Sequence, residues 1–261
     1  MAAVDVQRDA RGVVTVTIDN QPRKNAITGV MFDELREALV EVTSRPQDRV
    51  VVITGAGDDA FCSGADLSSQ KNAQGERLHT LHHMRNVGEA AHALAQVQQP
   101  VIAKINGVAV GAGLTLALGC DLLYASHRAT FGAVFVKRGL SIDFGGSWLL
   151  PRLVGMHKAK EIALLADIFD ASEAERIGLV NRVVPHDELD TAVDDVAARL
   201  ASGPPIAISL TKRLLAQAFD ATYAQALEAE AMAQAVNGST KDTNEAIRAF
   251  LEKRTPEFHG R

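Results

Sequence analysis

Cysteine is scarce in these 261 residues: only Cys62 and Cys120 occur, with no metal-type spacing. That argues against a disulfide-stapled secreted scaffold and against a metal centre, and it predicts a reducing, cytoplasmic location. No run of roughly 18 apolar residues occurs, so no membrane span is expected. Residues 1–9 carry charge and no apolar stretch, so no secretory signal is expected. A basic excess is missing too, since 27 Lys and Arg stand against 32 Asp and Glu, a net charge of -5. That gives no support to a nucleic-acid partner. Low-complexity tracts and internal repeats are absent. Ser63 and Ser141 are not set in a Gly-x-Ser-x-Gly elbow, which argues against a serine hydrolase. There is no Walker loop, and Gly111-Ala112-Gly113 lacks the third glycine of a dinucleotide fingerprint.

What remains is an ordinary globular composition, 47% hydrophobic and 23% charged. Val13 to Ile18 alternates branched apolar residues with threonine, the period of a half-buried strand. Thr28 is placed to cap a helix whose Met31, Leu35, Ala38, Leu39 and Val42 share one face. Val50 to Thr54 and Val101 to Ile105 read as buried strands, Ala112 to Leu118 as a short helix, and Asp121 to Ala125 as another strand. Residues 74–98 read as a polar helix carrying His79, His82, His83 and His92. Alternating strands and helices up to about residue 150 predict an α/β core with a mostly parallel sheet. Beyond it the chain is nearly all helix, with a stripe of Leu189, Val193, Val196, Ala197 and Leu200 and a helical pattern from Ile206 to Lys253. The composition shift near Pro185 divides the chain into a core, residues 1–185, and a helical region, residues 186–261, without a flexible linker.

Two glycine-rich loops follow buried strands: Phe61-Cys62-Ser63-Gly64-Ala65-Asp66-Leu67 and Asn106-Gly107-Val108-Ala109-Val110-Gly111-Ala112-Gly113. Small residues let a backbone approach a ligand closely, and free amides at a helix start favour an anion. Two such amides converging on one oxygen form an oxyanion hole. Tight strand-to-helix packing explains the same glycines equally well.

Taken together, six stretches resemble the crotonase (enoyl-CoA hydratase/isomerase) superfamily: residues 20–26, 61–67, 100–113, 120–125, 145–152 and 249–254. They occur in order and cover nearly the whole chain. The resemblance implies a crotonase-like spiral of repeated ββα turns with a C-terminal helical trimerisation region. It implies a homotrimer or a dimer of trimers acting on an acyl-CoA, with the coenzyme A thioester as substrate and no separate cofactor. By family position, Ala65 and Ala112 supply the oxyanion amides, the second in place of a more usual glycine. Arg23 and Lys24 flank the nucleotide, Asp66, Leu67 and Gly111 line the site, and Phe250 and Lys253 reach a neighbour's coenzyme A. A solvated surface charge is the other reading of each basic residue.

The same resemblance locates the acid–base groups. The two glutamates of the family's hydratases fall at Thr115 and Phe135, neither of which is a carboxylate. Asp143 matches the catalytic aspartate of dienoyl-CoA and phenylacetate-pathway isomerases. One carboxylate suffices to move a proton from one carbon to another, and burial raises its pKa. The competing reading makes Asp143 a cap for the helix that follows. His79, His82 and His83 lie where relatives cover the acyl pocket, either as a second acid–base group or as a polar surface. The sequence thus favours an isomerase that stabilises a thioester enolate. An enoyl-CoA hydratase (lyase) and a non-catalytic acyl-CoA-binding protein stand as alternatives.

Overall fold

A computed structural model describes residues 2–67 and 79–261. In chain order the elements are β1 (Ala3–Arg8), β2 (Val13–Asp19), α1 (Gly29–Ser44), β3 (Val50–Gly55), β4 (Ala60–Cys62), α2 (Thr80–Gln96), β5 (Val101–Ile105), β6 (Val108–Val110) and α3 (Ala112–Leu118). Then come β7 (Leu122–Ser126), β8 (Thr130–Gly132), α4 (Gly146–Val154), α5 (Met156–Leu165), β9 (Phe169–Asp170), α6 (Ala171–Arg176), β10 (Arg182–Val184), α7 (Leu189–Ala201), α8 (Pro205–Ala216), α9 (Tyr223–Gly238) and α10 (Lys241–Glu252).

The described strands form two sheets, ordered β1-β2-β3-β5-β7-β10 and β4-β6-β8-β9. Pairing is parallel except at β1–β2 and β8–β9. Each turn of the chain lays one strand in the larger sheet and the next in the smaller, as β3 then β4, β5 then β6, and β7 then β8. A helical segment follows each pair, so the chain spirals.

The larger sheet is covered on both faces, which is why its central strands read as unbroken apolar runs. In β3, Val51 and Ile53 join a large core with Leu35 and Leu39 of α1 and Leu94 of α2. Val50 and Val52 point the other way, onto Leu189, Val193 and Ala197 of α7. Thr28 does cap α1, accepting from the Met31 N–H at 3.2 Å.

Three expectations are revised. The helix expected over residues 74–98 is seen as α2, with His79 as its N-cap; residues 74–78 lie outside the described residues. The segments read as loops before α2 and α3 contain β4 and β6, each three residues long. Three residues are too few to display a period of two. The helical pattern from Ile206 to Lys253 breaks into α8, α9 and α10, stopped at Thr222 and Thr240, which each begin a new helix as N-caps. Among the described residues no helix is long and apolar enough to cross a membrane.

Candidate active site

The ends of β4 and β6 are stitched to the loop after β2. Asn25, buried and held at a φ of 56°, accepts from the Asn20 N–H at 3.0 Å and donates to the carbonyls of Ala56 and Ala60 at 2.9 and 2.7 Å. The Ile27 N–H donates to the Gly64 carbonyl and the Asp66 N–H to the Ile27 carbonyl, both at 2.8 Å. That pairing leaves the Ala65 N–H unused by any described protein group. Ala112 is the first residue of α3, where a helix has no internal acceptor for its N–H.

The two loops touch. A Cβ built on Gly64 would lie 3.2 Å from the Val110 carbonyl oxygen and 3.6 Å from the Ala112 nitrogen. At Gly113 a Cβ would collide with the Cys62 carbonyl oxygen, so α3 is pressed onto β4. Tight packing and a pair of free amides are therefore the same arrangement here rather than rival explanations of the glycines.

Both loops open on a cavity of about 590 Å³. Its wall includes Phe32 of α1, His83, Met84 and Val87 of α2, Phe135, Leu140 and Ile142 of the turn after β8, and Asp143. Asp143 is its most consequential polar group. Burial alone pushes this carboxyl up to about 6. Its Oδ1 is buried and has no hydrogen-bond partner among the described residues. The capping reading fails: Gly145 precedes α4 with no side-chain cap, and it is the Asp143 main-chain carbonyl that accepts from Gly146 at 2.9 Å.

The remaining expected residues divide. Ala65, Leu67, Gly111, Ala112 and Phe135 line the cavity. Thr115 does not; it is fully buried, and its hydroxyl donates to the Gly111 and Ala112 carbonyls at 3.5 and 3.3 Å. Arg23 pairs with Asp66 at 3.3 Å, joining the loop after β2 to the Phe61–Leu67 loop. Lys24 is exposed, with a φ of 51°. Phe250 and Lys253 are exposed on and after α10 and line no part of this chain's cavity. Of the three histidines only His83 faces the cavity; His79 caps α2 and His82 is exposed. Phe32 and Ile142 were not foreseen, because each reads as an ordinary core residue in its own segment.

The enoyl-CoA hydratase/isomerase family model matches residues 8–261. A probable enoyl-CoA hydratase of Rhodobacter capsulatus is 38% identical, covering 97% of this chain and 96% of its own. The 1,2-epoxyphenylacetyl-CoA isomerase of Escherichia coli is 35% identical, covering 96% of each. Among solved structures, an enoyl-CoA hydratase of Bacillus anthracis superposes with a TM-score of 0.93 at 33% identity over 99% of both chains. The chain belongs to the enoyl-CoA hydratase/isomerase family.

Proposed function

We propose that the protein shifts a carbon–carbon double bond within an enoyl-CoA thioester, with Asp143 as the proton carrier. The observation that supports it most is the buried, unpartnered Asp143 oxygen in the wall of the cavity onto which the Ala65 and Ala112 loops open. The thioester oxygen lies between the Ala65 and Ala112 amides. Asp143 takes a proton from the carbon next to the carbonyl, and negative charge passes to that oxygen. Each amide donor contributes about 3 kcal/mol to holding the charge. The electron pair moves along the chain, and the same carboxyl returns the proton at the far carbon of the conjugated system. No second carboxylate is needed, which suits a chain with threonine at position 115 and phenylalanine at position 135.

Arg23 and Lys24 hold the nucleotide end of coenzyme A, while Asp66 fixes Arg23. Phe250 and Lys253 complete a neighbouring subunit's site in a trimer or a dimer of trimers. The apolar surface left open on α9 and α10 supports that assembly.

Asp143→Asn keeps the size of the side chain and removes the proton acceptor. Isomerase kcat on a 3-enoyl-CoA should fall by about 10²-fold or more, with acyl-CoA affinity little changed. A folded Asn variant at full rate would refute the reading.

A further inference from the structure

The cavity holds a second titratable side chain that double-bond migration does not use. His83 enters from α2, and its ring meets the edge of Phe32 at 6.4 Å between centroids. Phe32 in turn packs at 6.0 Å on Phe144, the neighbour of Asp143. The imidazole makes no hydrogen bond to a described protein group, and neither does Asp143 Oδ1. Two proton-exchanging groups without hydrogen-bond partners among the described residues therefore line one cavity, carried by separate elements and linked through the rings of Phe32 and Phe144. The other polar side chains of the wall, Ser63, Thr80, Lys137, Arg138 and Ser141, differ in kind, being hydroxyls or cations. Ser63 donates to the Arg23 carbonyl at 2.8 Å, and Lys137 and Arg138 are cations.

We infer that His83 is the base of a second activity at this site, the addition of water to a 2-enoyl thioester, with Asp143 as the acid. This rests on the placement of Asp143 and the two amides given above. The imidazole takes a proton from a water molecule as the water oxygen bonds to the third carbon. The electron pair of the double bond moves to the second carbon and the thioester oxygen, held by the Ala65 and Ala112 amides. The protonated Asp143 carboxyl then delivers its proton to the second carbon. His83 has gained one proton and Asp143 has lost one, and exchange with solvent restores both. One water is consumed, and nothing is oxidised or reduced.

The electrostatics agree with those roles. Burial lowers the His83 pKa, with Asp33 of α1 opposing in part, so the free base is favoured. Burial raises Asp143, which favours its acid form. The two glutamates absent at positions 115 and 135 thus have a replacement of different chemistry from elsewhere in the fold.

The test compares hydration of a short 2-enoyl-CoA with isomerisation of a 3-enoyl-CoA on the full-length protein. Wild type should hydrate faster than buffer. His83→Gln should lower the ratio of hydration to isomerisation by about tenfold or more, as expected when a general base is lost. His83→Ala should do the same, and free imidazole should raise its hydration rate while leaving Asp143→Asn unrescued. Wild type that hydrates no faster than buffer, or a Gln variant with an unchanged ratio, overturns the role of His83. If Asp143→Asn keeps isomerising, the isomerase reading itself has failed. If that variant is dead and the ratio in His83→Gln is unchanged, only the second activity has.

Discussion

Helices α1 and α9 are each 16 residues long, yet α1 buries six side chains and α9 only Ala233. The first is held by the core that Leu35 and Leu39 share with β3. The second is fixed by a local device, the capping box of Thr222 and Gln225. It leaves Tyr223, Leu227, Met232 and Val236 in solvent. Helix α8 buries nothing, and α10 exposes Phe250 and Leu251. The contrast shows that a single chain completes its two-sheet spiral and its cavity but not the packing of its last three helices. Stability of the first region is internal, whereas the second keeps much of its apolar surface in solvent.

The largest expected effect belongs to the cavity. Ala112→Pro removes one oxyanion donor at a first helical position, where proline is well tolerated. Turnover should fall by about 10²- to 10³-fold, with the far-ultraviolet circular dichroism retained. A folded variant with normal turnover would remove Ala112 from the site. Next is the pH profile. Asp143 must be ionised to take a proton, so isomerase kcat should fall about tenfold per pH unit below about 6. The same raised value means that this carboxyl favours folding below its unfolded-state pKa. That contribution is lost as pH rises through about 6, and Asp143→Asn should remove this component of the urea midpoint's pH dependence.

The comparison between regions is sharpened by a pair of truncations. Leu39→Ala, at a fully buried position, should cost about 2–5 kcal/mol in urea unfolding. Phe250→Ser should change the stability of a dissociated chain by no more than about 0.5 kcal/mol. Its effect should appear instead in sedimentation, as weaker assembly. Equal costs for the two would erase the distinction drawn here.

The core strands β2, β3, β5 and β7 were legible because each shows its apolar pattern over five or more residues. Strands β4, β6 and β8 were not, since three residues are too few to show a period of two. The oxyanion loops could be located by their glycines and the resemblance, but whether their amides are free depends on the Ile27–Ala65 bridge, a contact across 38 positions. Asp143 was found by position. That its Oδ1 is unpartnered among the described residues depends on Gly145 preceding α4 with no side-chain cap, which no local signal announces. His79, His82 and His83 look alike in sequence, and only the rotation of α2 separates them.

Gly113 has no room for a side chain against Cys62, and Gly64 holds a φ of 107° with little room against Val110. A side chain at Gly113 would force a strand to move and one at Gly64 would be strained, so the side of the cavity formed by the Ala65 and Ala112 loops tolerates little change. The wall formed by α2 is bounded differently, with Met84 partly exposed and His83 set in a T-shaped contact with Phe32. Laboratory evolution of this protein should therefore collect its gains at positions 84 and 140, which line the cavity without a chemical role.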